Sequence, residues 1–316
     1  MSGENELRIL RAADVCPRLQ DEPAWLIESL WGAEACGVLG GVPKACKSWL
    51  SLEMAVAVAS GRPCLGRFPA PDPGPVLVYA AEDAPVQVRE RLEGLSSVRG
   101  VDFAQLDVHL ILEPALRIDR PEDLGRLRSS LERLRPKLLV LDPYVRLQSV
   151  DENNSTAVSQ VLGSLRSLSR SLSVAIVLVH HARKSGAEQA GQALRGSSDF
   201  HAWGDSNLYL SRRGEDLTLS IEHRAAPSPP AIGLRLAVDP GPPHLEIREI
   251  SATDTHSQPL PERVLEALDC DEPRRQEDLR AALQVRNQTL TEVLHTLERS
   301  MRVRRKPDGW LRTSPR

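Results

Sequence analysis

The chain has 316 residues, enough for one large α/β unit and a smaller module, and its 41% apolar and 26% charged residues are ordinary for a globular protein with a core. A formal charge of −3 and a pI near 6.3 exclude a surface that is basic throughout, so nucleic acid or anionic lipid would have to meet a local patch. Five scattered cysteines with no CxxC pair argue against structural zinc and for reduced thiols. The start MSGENELRILRAADV lacks the basic start and apolar stretch of a signal peptide, and the apolar runs are strand-sized, so a soluble cytoplasmic protein with no membrane partner is expected.

In residues 1–34 the apolar group Trp25, Leu26, Ile27, Leu30 and Trp31 predicts a short helix packed on the main domain. From Cys36 short apolar runs alternate with helical patterns. CGVLG precedes KSWLSLEMAVAVASG, PVLVYAAED precedes VQVRERLEGL, and DVHLIL precedes DLGRLRSSLERL. KLLVLD then leads into STAVSQVLGSLRSLSRSL, and SVAIVLVH closes the series. Continuous apolar strands separated by helices predict a mostly parallel sheet covered on both faces. A polar loop follows His181, and SNLYLSRR, LTLSIEHR and IGLRLAVD read as strands adding to one edge of the sheet antiparallel. Residues 251–260 read as a linker between an α/β domain over 35–250 and a small domain over 261–316. In the latter, three short helical patterns and a hairpin around PDG predict a winged helix-turn-helix.

The strand ending at Gly40 runs into Gly41, Val42, Pro43, Lys44, Ala45, Cys46, Lys47 and Ser48, and a helical pattern continues from Trp49. A phosphate-binding loop requires this strand, loop and helix context. Backbone N–H groups at a helix N-terminus cradle phosphate oxygens, Lys47 neutralises the β and γ charge, and the Ser48 hydroxyl binds Mg²⁺. The pattern G-x-x-x-x-G-K-[ST] is broken at Cys46, where a second glycine is expected. If φ is positive there, cysteine costs about 1–2 kcal/mol. A basic strand-to-helix turn with no ligand is the alternative reading of the loop taken alone. Other strand ends supply the complementary chemistry: Asp142 closes LLVLD as a metal-side carboxylate, Glu82 and Asp83 follow VLVYAA as candidate proton acceptors, and His180 ends VLVHH where a polar group could sense the γ-phosphate.

The segments GGVPKACKSWL, VYAAED, LLVLDP, LVHHARKSG and LRGSSDFHAWGDS, spread over roughly 30–240, resemble the RecA-like ATPases of the hexameric replicative-helicase type, an AAA family ATPase group, and in particular their RepA-like branch. The resemblance implies that Lys47 and Ser48 bind ATP and Mg²⁺, that Glu82 is the catalytic base and that Asp142 is the second metal-side acid. It implies that His180 couples the γ-phosphate to the following loop, and that Arg195, with Gln192 as a polar helper, completes a neighbouring subunit's site. A homo-oligomer, the hexamer included, follows from it. The loop 182–194, with Arg183 and Lys184, would then meet a single-stranded DNA backbone.

From Arg286 to Arg316 eight Lys/Arg stand against three acids, a net of +5 in an acidic chain. Arg286, Asn287 and Gln288 open the candidate recognition helix, and Arg304, Arg305 and Lys306 sit in the candidate wing, so duplex DNA is the expected partner. The leading expectation is an oligomeric Mg-ATPase acting on DNA, a helicase in its specific form. The alternative is a nucleotide-sensing DNA-binding regulator with little hydrolysis, and a small-molecule kinase lacks any acceptor pocket legible in the sequence.

Overall fold

A computed structural model describes residues 9–15, 24–148, 155–181, 198–248, 260–283, 285 and 287–313. By its internal contacts the chain divides into two compact units, Met1–Arg248 and Glu249–Arg316.

The first unit corrects the expected N-terminal helix. Trp25–Ile27 (β1) and Trp31–Gly32 (β2) form an antiparallel hairpin, turned at Ser29 with φ 57°. The apolar residues serve a two-sided tight turn: Ile27, Leu30 and Trp31 are fully buried, and the Trp31 indole N–H donates to the Ala35 carbonyl at 3.1 Å. A five-residue apolar cluster is too short to separate helical from strand periodicity, and packing decides.

The elements that follow are Cys36–Gly41 (β3), Lys47–Ser60 (α1), Val76–Ala80 (β4), Pro85–Val98 (α2), Val108–Leu110 (β5), Pro121–Leu134 (α3), Leu138–Asp142 (β6), Ser155–Leu172 (α4), Ala175–His181 (β7) and the short helix Ser198–Trp203 (α5). Four strands close the unit: Ser206–Arg213 (β8), Asp216–His223 (β9), Ile232–Ala237 (β10) and His244–Arg248 (β11). They build one nine-stranded sheet in the order β11-β10-β9-β8-β3-β7-β6-β4-β5. The strands from β8 to β5 in that order are mutually parallel, so SNLYLSRR, expected to add antiparallel, instead pairs parallel with β3 as β8, because it follows the helix α5 rather than a hairpin turn; β9 and β10 add antiparallel as expected, with β11 as an unforeseen fourth member of that edge.

Alternation along the central strands divides the core. Leu39, Val78, Val140 and Val177 face one cluster with α1 and α2, whereas Val38, Tyr79, Leu141 and Leu178 face a second with α3, α4 and α5. Both faces are therefore apolar, which is why these strands read as continuous hydrophobic runs. A buried ion pair pins α1: the Glu53 carboxylate accepts from Arg99 Nε just beyond α2 and from the Leu65 N–H, both at 2.7 Å. Among the described residues no helix is long and apolar enough to cross a membrane.

The second unit has three helices, Leu260–Glu266 (α6), Gln276–Leu283 (α7) and Asn287–Arg299 (α8), and an antiparallel hairpin of Val303–Lys306 (β12) and Gly309–Arg312 (β13). Its core consists of the helix-spaced leucines, joined by Val303 and Trp310 from the hairpin. The expected linker 251–260 lies outside the described residues up to Leu260, which begins α6.

Candidate functional site

Because all the parallel strands point the same way, their C-terminal ends form one edge, and the loops there converge. β3 lies between β7 and β8, with Gly41 opposite both His181 and Leu210. A Cβ on Gly41 would stand 2.3 Å from the Leu210 carbonyl oxygen, so the glycine is required by close backbone approach. The chain then turns through Lys44 (φ 63°) and Cys46 (φ 60°, ψ 27°), both left-handed, before α1 begins at Lys47. The condition for strain at Cys46, a positive φ, is therefore met. Its side chain packs against the apolar cluster beneath α1, and burial pushes its thiol up, with Arg212 and Lys47 pulling the other way. The uncharged thiol places no negative charge beside the loop.

Lys47 is 4% exposed, and its ammonium donates to the Gly41 and Val42 carbonyls at 3.0 and 2.9 Å. Burial pulls its pKa down to about 8, against the nearby Asp142, Cys46 and Glu82. Asp142 ends β6 with 9% exposure and is hydrogen-bonded by the Ser48 side chain. Burial raises its pKa to about 6; Ser48 and Lys47 oppose the rise, while Asp83 and Glu82 add to it. Ser48 and Asp142 thus meet although 94 positions separate them in the chain, from 48 to 142.

Ala80 pairs with Asp142 in register, and the Ala81 N–H donates to the Asp142 carbonyl at 2.8 Å, which sets Glu82 and Asp83 beside the β6 tip. The two acids differ in their partners. Asp83 accepts a two-pronged pair of bonds from Arg91 of α2 at 2.6 and 3.2 Å, and that guanidinium lies over the Trp49 ring, 5.4 Å from its centroid. Among the described residues Glu82 accepts one bond, from Arg146 Nε at 3.1 Å. A cavity of about 290 Å³ opens next to this group, bounded by Trp49, Gln87, Glu90, Arg91, Pro242 and Pro243.

His180, opposite Gly40 on β7, stacks on Phe200 with centroids 4.4 Å apart and meets Tyr144 edge-on at 5.8 Å. Its ring is therefore set by an aromatic cluster that joins the β6, β7 and α5 regions. The structure brings the loop 41–48, Glu82, Asp142 and His180 to one edge; Arg183, Lys184, Gln192 and Arg195 lie outside the described residues. Sequence reasoning missed Arg91 and Arg146, which fall in no motif, and Arg212 of β8, whose guanidinium donates to the Lys44 carbonyl at 2.8 Å.

A family model described as AAA domain matches residues 4–187, more than half of the chain. The chain belongs to the AAA domain family. The large, mostly parallel sheet, part of which lies beyond the matched residues, with the loop between β3 and α1 and the carboxylate at the β6 tip, has the architecture of a RecA-like P-loop NTPase fold. Among solved structures, a DnaB-like replicative helicase whose interactions with primase were studied aligns with a TM-score of 0.49 and 13% identity, covering 67% of this chain and 57% of its own. This AAA domain protein therefore spans little more than half the length of that helicase. The RadB recombinase aligns with a TM-score of 0.48 and 16% identity, over 69% of this chain and 92% of its own.

In the second unit, Arg304, Arg305 and Lys306 are exposed along β12, with Arg305 over the Trp310 ring at 5.8 Å. The Asn287 side-chain oxygen accepts from Gln276 at 3.0 Å, while Arg286 and the side chain of Gln288 lie outside the described residues.

Proposed function

We propose that this chain is a Mg-ATP-dependent RecA-like ATPase that acts on DNA in replication, recombination or mobile-element maintenance, with a RepA-like helicase as the specific form of this reading. The observation that carries the reading is the convergence of Lys47, Ser48, Asp142 and Glu82 at one sheet edge, around a loop whose left-handed turns suit phosphate. Lys47 would exchange its two loop carbonyls for β and γ phosphate oxygens. Trp49 and the adjoining cavity would seat the nucleoside.

The donor set at Ser48 and Asp142 fits magnesium. A hydroxyl bound to a buried carboxylate, with two further acids nearby, supplies the hard oxygen donors that magnesium takes. When bound there, the ion would offset phosphate charge. Glu82 would accept a proton from a water whose oxygen bonds to the terminal phosphorus, while the bond to the bridging oxygen breaks and its electron pair leaves with ADP. Arg195 of one copy completing the site of the next, and DNA passing the 182–194 loop, belong to the same reading. The exposed Arg304, Arg305 and Lys306 support a winged helix that holds duplex phosphates.

The test is hydrolysis by the full chain with and without DNA. Stimulated turnover should vanish in Lys47→Ala and Glu82→Gln, and unchanged turnover in both would refute the reading. Glu82 sits in an ion pair, which favours the regulator as the second reading. A regulator would shift a defined duplex in gels with ATP present and show no turnover.

A further inference from the structure

Two arginines meet the two carboxylates after β4, and they are held very differently. Arg91 is bonded twice to Asp83, lies against Trp49 and is 26% exposed, so it is committed where it stands. Arg146 is 56% exposed and gives Glu82 only its Nε. Both terminal amino groups of its fork make no hydrogen bond among the described residues.

The backbone beneath Arg146, in contrast, is fixed. It follows Asp142 by four residues on a tight turn, Tyr144–Arg146. Arg117 donates to the carbonyls of Arg146 and Gln148 at 2.6 and 2.9 Å, the Ile118 N–H donates to the Leu147 carbonyl at 2.7 Å, and the Tyr144 hydroxyl donates to Gln148 Oε1 at 2.7 Å. A planar cation with unused donors, on a rigid base, beside a carboxylate that holds it weakly, is the arrangement that exchanges one anion for another.

The charges say which anion. Glu82, Asp83 and Asp142 are opposed by Lys47, Arg91 and Arg146, so the edge is balanced before a nucleotide arrives. A triphosphate brings more negative charge than a diphosphate, at its terminal group, and Arg146 is the cation of this set that is free to turn toward it. We propose that Arg146 reads the terminal phosphate of a triphosphate bound in its own subunit, releasing Glu82 as it does so. This rests on the nucleotide-site reading above. Glu82 is thereby held by Arg146 while a diphosphate or nothing is bound, and its oxygens are open to a water only when a terminal phosphate has drawn the arginine away.

The experiment is titration of fluorescent methylanthraniloyl ATP and ADP, each with Mg²⁺, onto the full chain. Arg146→Ala should lose roughly tenfold to a hundredfold in ATP affinity, the weight of a charge-assisted hydrogen bond, and leave ADP affinity within about twofold. Arg146→Lys, which keeps the charge, should recover part of the ATP preference, a result that a merely structural role would not give. Glu82→Gln should raise ATP affinity by up to about fivefold, since an exposed pair of this kind is worth little, and the gain should be absent in the double variant with Arg146→Ala. Equal losses for ATP and ADP in Arg146→Ala, or no loss, would overturn the assignment. Lys47→Ala separates the two levels: if it leaves both nucleotides bound, the nucleotide site itself is wrong, whereas if it abolishes both while Arg146→Ala does not discriminate, only the role of Arg146 fails.

Discussion

Replacing Cys46 by glycine tests how the broken loop motif works. Cys46 holds φ 60° and ψ 27°, a left-handed conformation that costs an L residue about 1–2 kcal/mol. Glycine removes that cost but adds about 0.5–1 kcal/mol of chain entropy to be lost on folding, and it gives up the packing of a half-buried thiol. The net gain is at most about 1 kcal/mol, which for a domain of this size raises Tm by roughly 2–4 °C. The left-handed backbone at Cys46 belongs to the folded loop itself, so its cost falls on folding. Thermal melts with ATP titration on wild type and Cys46→Gly should therefore show a small rise in Tm and an ATP affinity changed by less than about threefold, since about 1 kcal/mol equals a fivefold change. A gain in affinity of tenfold or more would refute the reasoning, because it would mean that the cysteine side chain occupies phosphate space rather than packing beneath α1.

The pH dependence of Mg-ATP binding should show two limbs. Asp142, raised to about 6, loses its charge as pH falls through that value, and Lys47, lowered to about 8, loses its charge as pH rises through it, so affinity measured across pH 5–9 should peak between. Asp142→Asn should remove the acid limb alone. For stability the signs are fixed separately. A raised acid means that the folded state binds more protons below about pH 6, so Asp142 opposes folding above that pH and ceases to as the pH falls. A lowered lysine opposes folding below about pH 8 and ceases to as the pH climbs toward 10.5. Arg99→Met should destabilise the first unit by about 3–5 kcal/mol in urea unfolding, because it strands the Glu53 carboxylate, which is 1% exposed, in the core. A loss under 1 kcal/mol would show that the carboxyl is held neutral at no cost.

Much of the fold was legible because the strands are covered on both faces and so appear as uninterrupted apolar runs. β3, β4, β6 and β7 could be read, with the helices between them, from run length and breaker residues alone. The N-terminal hairpin was not, since Trp25 to Trp31 is too short for any period to emerge and its conformation is set by contact with Ala35 and the core. The site divides along the same line. The sequence by itself placed Glu82, Asp142 and His180 at or just past strand ends, and Lys47 and Ser48 at the start of the helix that follows β3, because a residue at the C-terminal end of a parallel strand, or on the loop leaving it, must reach the common edge whatever the strand order. It also exposed the missing glycine at position 46. Only the tertiary structure decided that the missing glycine's backbone conformation is kept and that Ser48 bonds Asp142. Only it gave Asp83 to Arg91 and Glu82 to Arg146. Those partners come from helix α2 and the turn after β6, where the register of one element against another, invisible in local spacing, selects which guanidinium meets which carboxylate.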